Sequence, residues 1–296
     1  MRLRSVALVL ALIVVSCGDS SSPTIAVDSS STSSASTQFP ATTTTAAATE
    51  NACPTATFEI EAVNAYEQLA VEENPQLEIE CTETAFVVIS NNVPNFDYVQ
   101  VTPNALESNP FEIEFPLEPT EADEPGGLAL GGIGVSVTGI TIFGAFEAPR
   151  DGWRDPFLDG LLDACSGHTA PGGWYHFHTL MSCIVDDHAA PGIVLGYAYD
   201  GYEIVTPWQC VDAACSETEE VFSSYERTGQ GIGAFDDWTY VDFFGDLDEC
   251  NGRTDDDGSY RYYATNDFPY LPFCYHGETD YADGIHDDIA PTGVGG

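Results

Sequence analysis

Gly172-Gly173-Trp174-Tyr175-His176-Phe177-His178 is the stretch on which the reading of this chain turns. Taken as a strand, its period of two sends Tyr175 and Phe177 to one face, His176 and His178 to the other. Upstream, Cys165-Ser166-Gly167-His168-Thr169 is a turn-like run, placed to fold back beside that strand. Three of the six histidines therefore fall within eleven residues, between Cys165 and Cys183. Any chemistry the chain performs is expected here.

Part of this stretch occurs twice. Leu162-Asp163-Ala164-Cys165-Ser166-Gly167-His168-Thr169 aligns with Leu247-Asp248-Glu249-Cys250-Asn251-Gly252-Arg253-Thr254, an offset of 85 that persists through Tyr175/Tyr260, His176/Arg261 and His178/Tyr263. Ahead of each copy lie two β-like runs joined at Thr138-Gly139 or Asp200-Gly201, a hairpin signal, with Ile133 aligned on Leu195. We therefore expect two similar units, 128–183 and 193–274, packed around one core, since neither holds enough apolar residues to stand alone. The second carries an insertion with Cys210, Cys215 and the glycines Gly229, Gly231 and Gly233. Short aromatic and β-branched runs, broken often by Gly and Pro, predict a mainly β, disulfide-stapled domain with few short helices. The run 156–164 (PFLDGLLDA) reads as one such helix. In the N-terminal β region, 52–127, residues 84–90 and 98–102 read as strands, 58–69 as a strand then a short helix, and 117–127 as a loop.

The ends add location. Arg2 and Arg4 precede an almost wholly apolar run, 6–15, so 1–16 reads as a secretory signal, with Val14-Val15-Ser16-Cys17 resembling a bacterial lipobox and Cys17 the lipidated residue. The Ser-, Thr- and Ala-rich 17–51 reads as a disordered stalk, which places domain 52–296 at the cell envelope, outside the cytoplasm, held to the membrane by the lipid alone. The remaining eight cysteines are an even number in an exported chain and predict disulfides. Eight can pair in roughly a hundred ways. Cys165–Cys183 and Cys250–Cys274 are expected within the units, Cys210–Cys215 as a short loop, and Cys53–Cys81 in the N-terminal region. The net charge is −41, with 48 acids and no lysine. Such a chain repels nucleic acid and anionic lipid. No protein partner is legible.

These landmarks resemble the YHYH-domain family of secreted proteins. The matching residues are Gly132-Ile133-Gly134-Val135 with Gly139, Cys165-x-Gly167-His168, Tyr175-His176-Phe177-His178 with Cys183, and Gly196-Tyr197-Ala198-x-Asp200-Gly201. They continue through Asp248-Glu249-Cys250-Asn251-Gly252 to Phe268-Pro269-Tyr270 and Cys274. The second tyrosine of the family's name is Phe177 here. The resemblance implies export and a shared fold.

His168, His176 and His178 make a candidate metal set, since three neutral imidazoles suit Zn(II) or Cu(II). Asp163 and Asp187 are candidate partners for the free imidazole N–H groups, and Met181 a soft ligand or a core filler. The competing reading makes the histidines architectural in a structural or adhesive surface module. The second copy favours that reading, because it keeps the pattern with Arg253, Arg261 and Tyr263. A third reading is a metal-dependent hydrolase with Asp163 as base, but no HExxH or GxSxG is present and the chain does not read primarily as an enzyme. Asp255-Asp256-Asp257-Gly258 lacks the spacing of a calcium loop and reads as a solvated turn. His188, His276 and His286 read as surface histidines, and Arg261 as the partner of an acid in its own unit. Gly229, Gly231 and Gly233 have the wrong spacing for a phosphate loop.

Overall fold

Short β-branched and aromatic runs build the strands, and among the described residues there is no α-helix. The computed structural model describes residues 53–58, 74–184 and 189–281, which lie in one compact unit, Thr49–Gly296. The expected signal 1–16, Cys17, the stalk 17–51 and nearly all of the strand and helix expected at 58–69 lie outside the described residues.

β1 (Leu77–Cys81), β2 (Ala85–Ser90) and β3 (Phe111–Pro116) form an antiparallel sheet. Its inner face carries Phe86 stacked on Phe115 at 5.0 Å. Each such buried ring stabilises the fold by about 2–3 kcal/mol. β4 (Glu121–Gly126) follows. The first unit supplies β5 (Gly132–Ser136), β6 (Thr141–Phe143), β7 (Gly167–Thr169) and β8 (Tyr175–Phe177). The second opens with β9 (Val194–Ala198) and β10 (Glu203–Val205). Its insertion adds two small hairpins, β11 (Trp208–Cys210) with β12 (Thr218–Glu220) and β13 (Tyr225–Arg227) with β14 (Trp238–Tyr240). β15 (Gly252–Thr254) and β16 (Tyr260–Tyr263) complete the unit, and β17 (Tyr275–Gly277) pairs with β4.

Eight strands from the two units form one sheet in the order β15-β16-β10-β9-β5-β6-β8-β7. The order is symmetric about its centre. Hairpin β9–β10 answers β5–β6, β10–β16 and β6–β8 are both parallel, and β15–β16 answers β7–β8. At the centre β5 and β9 run antiparallel, pairing Val135 with Tyr197, Gly134 with Ala198 and Ser136 with Gly196. Under the repeat alignment Gly134 answers Gly196 and Ser136 answers Ala198. A local two-fold thus passes through Val135 and Tyr197. Both hairpin turns need a left-handed residue, and Gly139 (φ +76°) and Gly201 (φ +90°) supply it.

The bridges are Cys53–Cys81, Cys165–Cys183, Cys210–Cys215 and Cys250–Cys274, so no disulfide joins one unit to the other. Three local expectations are corrected. Residues 156–160 form turns rather than a helix. The Asp155 carboxylate accepts from the amides of Phe157 and Leu158, and Gly160 at φ +68° then reverses the chain. Residues 98–102 are not a strand, because side chains rather than a ladder tie this segment to β7: Thr102 Oγ1 and Asn104 Nδ2 both donate to the Thr169 carbonyl. Within the expected loop 117–127, β4 forms despite Pro125 because a register shift in its pairing with β17 absorbs the missing N–H.

Candidate metal centre

The β7–β8 register sets His168 directly opposite His176. Cross-strand partners share a face, and His178 falls on that face two residues further on. The three residues are only 4%, 2% and 1% exposed. On the other face Tyr175 and Phe177 pack against Phe96, with Tyr98 edge-on to Tyr175. Phe143 of β6 lies flat on His176, with centroids 3.8 Å apart.

Each imidazole is tied by Nδ1 to a backbone carbonyl. His168 reaches Leu161 at 3.0 Å, His176 reaches Trp174 at 3.0 Å, and His178 reaches Gly144 at 2.6 Å. A carbonyl oxygen only accepts, so each Nδ1 carries a proton, and where His176 and His178 are neutral their lone pairs stand on Nε2. These Nε2 atoms converge. Those of His176 and His178 are 2.9 Å apart, and the three residues' ligand atoms lie within 4.8 Å of one another. Burial, then the other two imidazoles, pushes His176 well below the usual histidine range. Burial and His168 push His178 down to about 4. At neutral pH two lone pairs therefore face each other with no proton between them. A divalent cation at that point would satisfy both.

Glu147 joins the cluster, and the sequence reading missed it. Its Oε1 lies 3.2 Å from His168 Nε2 and 3.9 Å from His178 Nε2, and that buried oxygen has no hydrogen bond. Burial would raise its carboxyl, but His168 and His178 outweigh this and hold it below its usual range. Glu147 stands beyond β6, where its amide donates to the Arg154 carbonyl at 2.8 Å. No periodic pattern marks that segment, so only the fold could reveal the approach.

Asp163 does not support the imidazoles. Its Oδ1 accepts from the Cys165 and Gly167 amides and from Tyr175 Oη, on the face of β8 turned away from the histidines. Backbone carbonyls take the supporting role expected of it. Asp187, His188 and His286 lie outside the described residues. Met181 is wholly buried in the core. His276 is partly buried and stacks on Tyr260 at 3.6 Å, rather than standing free on the surface. The amides of Gly231 and Gly233 serve the Asp237 carboxylate, at 2.8 Å each.

The second unit builds the same frame with opposite polarity. Asp248 repeats the role of Asp163, accepting from the Cys250 and Gly252 amides and from Tyr260 Oη. Arg253, Arg261 and Tyr263 stand where the histidines stand, and all three converge on one carboxylate. Asp255 accepts from Arg253 Nε at 3.0 Å, Arg261 Nη1 at 2.7 Å and Tyr263 Oη at 2.6 Å. Arg261 also pairs with Glu203 and Asp257. Two acids of the 255–257 turn are thereby engaged by guanidinium groups rather than held open for calcium.

The family model described as YHYH protein matches residues 112–277, which contain both units, the three histidines and Glu147. The chain belongs to the YHYH protein family. In this YHYH domain the Tyr-His-Phe-His run carries its aromatics into the core and its histidines into the cluster, on opposite faces of one strand. No curated protein and no solved structure matches the chain.

Proposed function

We propose that this YHYH protein is exported, anchored at the envelope by lipid on Cys17, and holds one transition metal, copper or zinc, on His168, His176 and His178 with Glu147 as fourth ligand. The observation that carries the reading is the convergence of three buried imidazoles, with their ligand atoms within 4.8 Å of one another and their Nδ1 groups all committed to carbonyls. Three nitrogens and a carboxylate oxygen suit tetrahedral Zn(II), and imidazole suits Cu(II) equally. The opposite polarity of the second unit supports the same reading: each frame focuses on an ion, and there the chain supplies a carboxylate. Four protein ligands in a buried setting favour holding a metal over turning over a substrate, because a catalytic site keeps a position open. The hydrolase reading also loses its base, since Asp163 is engaged elsewhere.

The test is metal analysis of residues 52–296, produced by export so that the disulfides form, beside a His168→Ala/His176→Ala/His178→Ala variant. One equivalent of copper or zinc retained by the parent and lost by a folded variant is the expected result. A parent that holds no metal at neutral pH would return the histidines to architecture and the protein to a surface module.

A further inference from the structure

The insertion of the second unit builds a feature that the symmetric sheet does not require. Between hairpin β13–β14 and the Asp242-Phe243-Phe244-Gly245-Asp246 turn lies an open cleft of about 690 Å³. Phe222, Phe243 and Phe244 line it at 47%, 91% and 57% exposure, and Trp238 lies beside them. Phe243 holds φ +60°, a conformation that bulky residues avoid, so the turn presents this ring to solvent at a backbone cost. Adjoining exposed rings of this kind mark interaction surfaces.

Charge selects the partner. Exposed carboxylates of Glu226, Asp246 and Asp267 line the same cleft. Its one cation, Arg227, is engaged: the guanidinium lies 5.6 Å over the Trp238 ring and donates to the Gly231 carbonyl. That contact also shows that the cleft's aromatics accept a guanidinium. Among the described residues every other arginine already faces an acid. It lacks lysine, and apart from Arg2 and Arg4 its arginines number five. Besides Arg227, these pair with acids: Arg150 with Asp151, Arg154 with Asp159, Arg253 and Arg261 with Asp255.

We propose that this cleft docks a basic polypeptide segment of another protein, one that carries arginine or lysine beside apolar residues. Its cations meet Glu226, Asp246 and Asp267, and its apolar side chains cover Phe222, Phe243 and Phe244. The strongly acidic surface steers such a partner inward, and the rings set where it stops. This inference is independent of the metal.

The experiment measures binding of a labelled dodecapeptide of alternating arginine and leucine to the exported, disulfide-bonded protein, at roughly 0.15 M salt to screen diffuse attraction. Controls replace arginine with glutamate or leucine with glycine. The arginine–leucine peptide should bind best. Phe243→Ser/Phe244→Ser and Glu226→Gln/Asp267→Asn, all at exposed positions, should each weaken it about tenfold or more. The inference is overturned if the parent does not bind the peptide, or if both variants bind it as tightly as the parent. Equal binding of the arginine–glycine control would overturn it too, because the rings would then contribute nothing.

Discussion

Glu147 is the residue at which the metal reading can be broken without touching the histidines. Glu147→Gln keeps the size and one oxygen but removes the negative charge, so chelator competition should show metal affinity lower by about tenfold or more. Unchanged affinity would remove Glu147 from the ligand set. A second residue, Asp200, tests the buried electrostatics away from that site. It is wholly buried and accepts from Tyr262 Oη and from the Gly277 amide at 2.9 Å. Burial outweighs these bonds and raises its carboxyl above the ordinary 3.8. The folded state therefore binds the proton more tightly than the unfolded chain. This group's contribution to stability is fully present below 3.8 and is lost as pH rises through the raised folded value. Asp200→Asn should remove that slope: the difference in denaturation free energy between variant and parent should move in the variant's favour as pH rises from about 4. A difference that stays flat across pH would show that the carboxyl is not raised. At this scale the sequence made the three histidines legible, because strand alternation assigns His176 and His178 one face. It hid Glu147, whose approach depends on a loop, and it misassigned Asp163, whose proximity in sequence says nothing about which face of β8 it serves.

Among the elements, the β7–β8 hairpin has to be held still if its imidazoles are to converge. The segment beside it does this partly through backbone: Glu107 N donates to the Gly173 carbonyl at 3.0 Å. Gly173 is the position where this contact is most constrained. It has φ +74°, and an added Cβ would lie 2.5 Å from both Ala105 O and Glu107 N. Neighbouring Gly172 has φ +91° but nothing within 4 Å of an added Cβ. Gly173→Ala should therefore cost about 2–4 kcal/mol in urea denaturation, Gly172→Ala only about 1 kcal/mol. Equal costs would mean that the close approach of 105–107 contributes nothing. Both central hairpins were legible from turn residues between β-like runs. β4 was not, because Pro and Gly argue against a strand and only the distant β17 provides its pairing. The expected helix at 156–164 failed because Asp155 and Gly160 close the chain after one turn, ahead of any stabilising apolar face.

For the whole molecule, metal and fold are expected to be linked. A cation bound only by the folded chain stabilises it by about 4 kcal/mol at a thousandfold excess over Kd. Adding a chelator to the metal-loaded protein should therefore lower Tm by several degrees, while the triple-alanine variant should not respond. A chelator-insensitive parent Tm would separate the cluster from stability. The repeat was visible in the sequence because Cys, Gly and Tyr recur in order. The joint between the units was not, since pairing of β5 with β9 joins residues about sixty positions apart and no local pattern encodes it. That joint has a meaning beyond the present chain. The self-complementary contact through Val135 and Tyr197 is isologous, so a chain carrying one unit would complete the same sheet by meeting a second copy of itself. The eight-stranded sheet thus has the strand order of a homodimer's sheet within a single polypeptide. Two identical subunits must change together, but a fused pair need not. One half can gather three imidazoles while the other fills its equivalent position with arginine and aspartate.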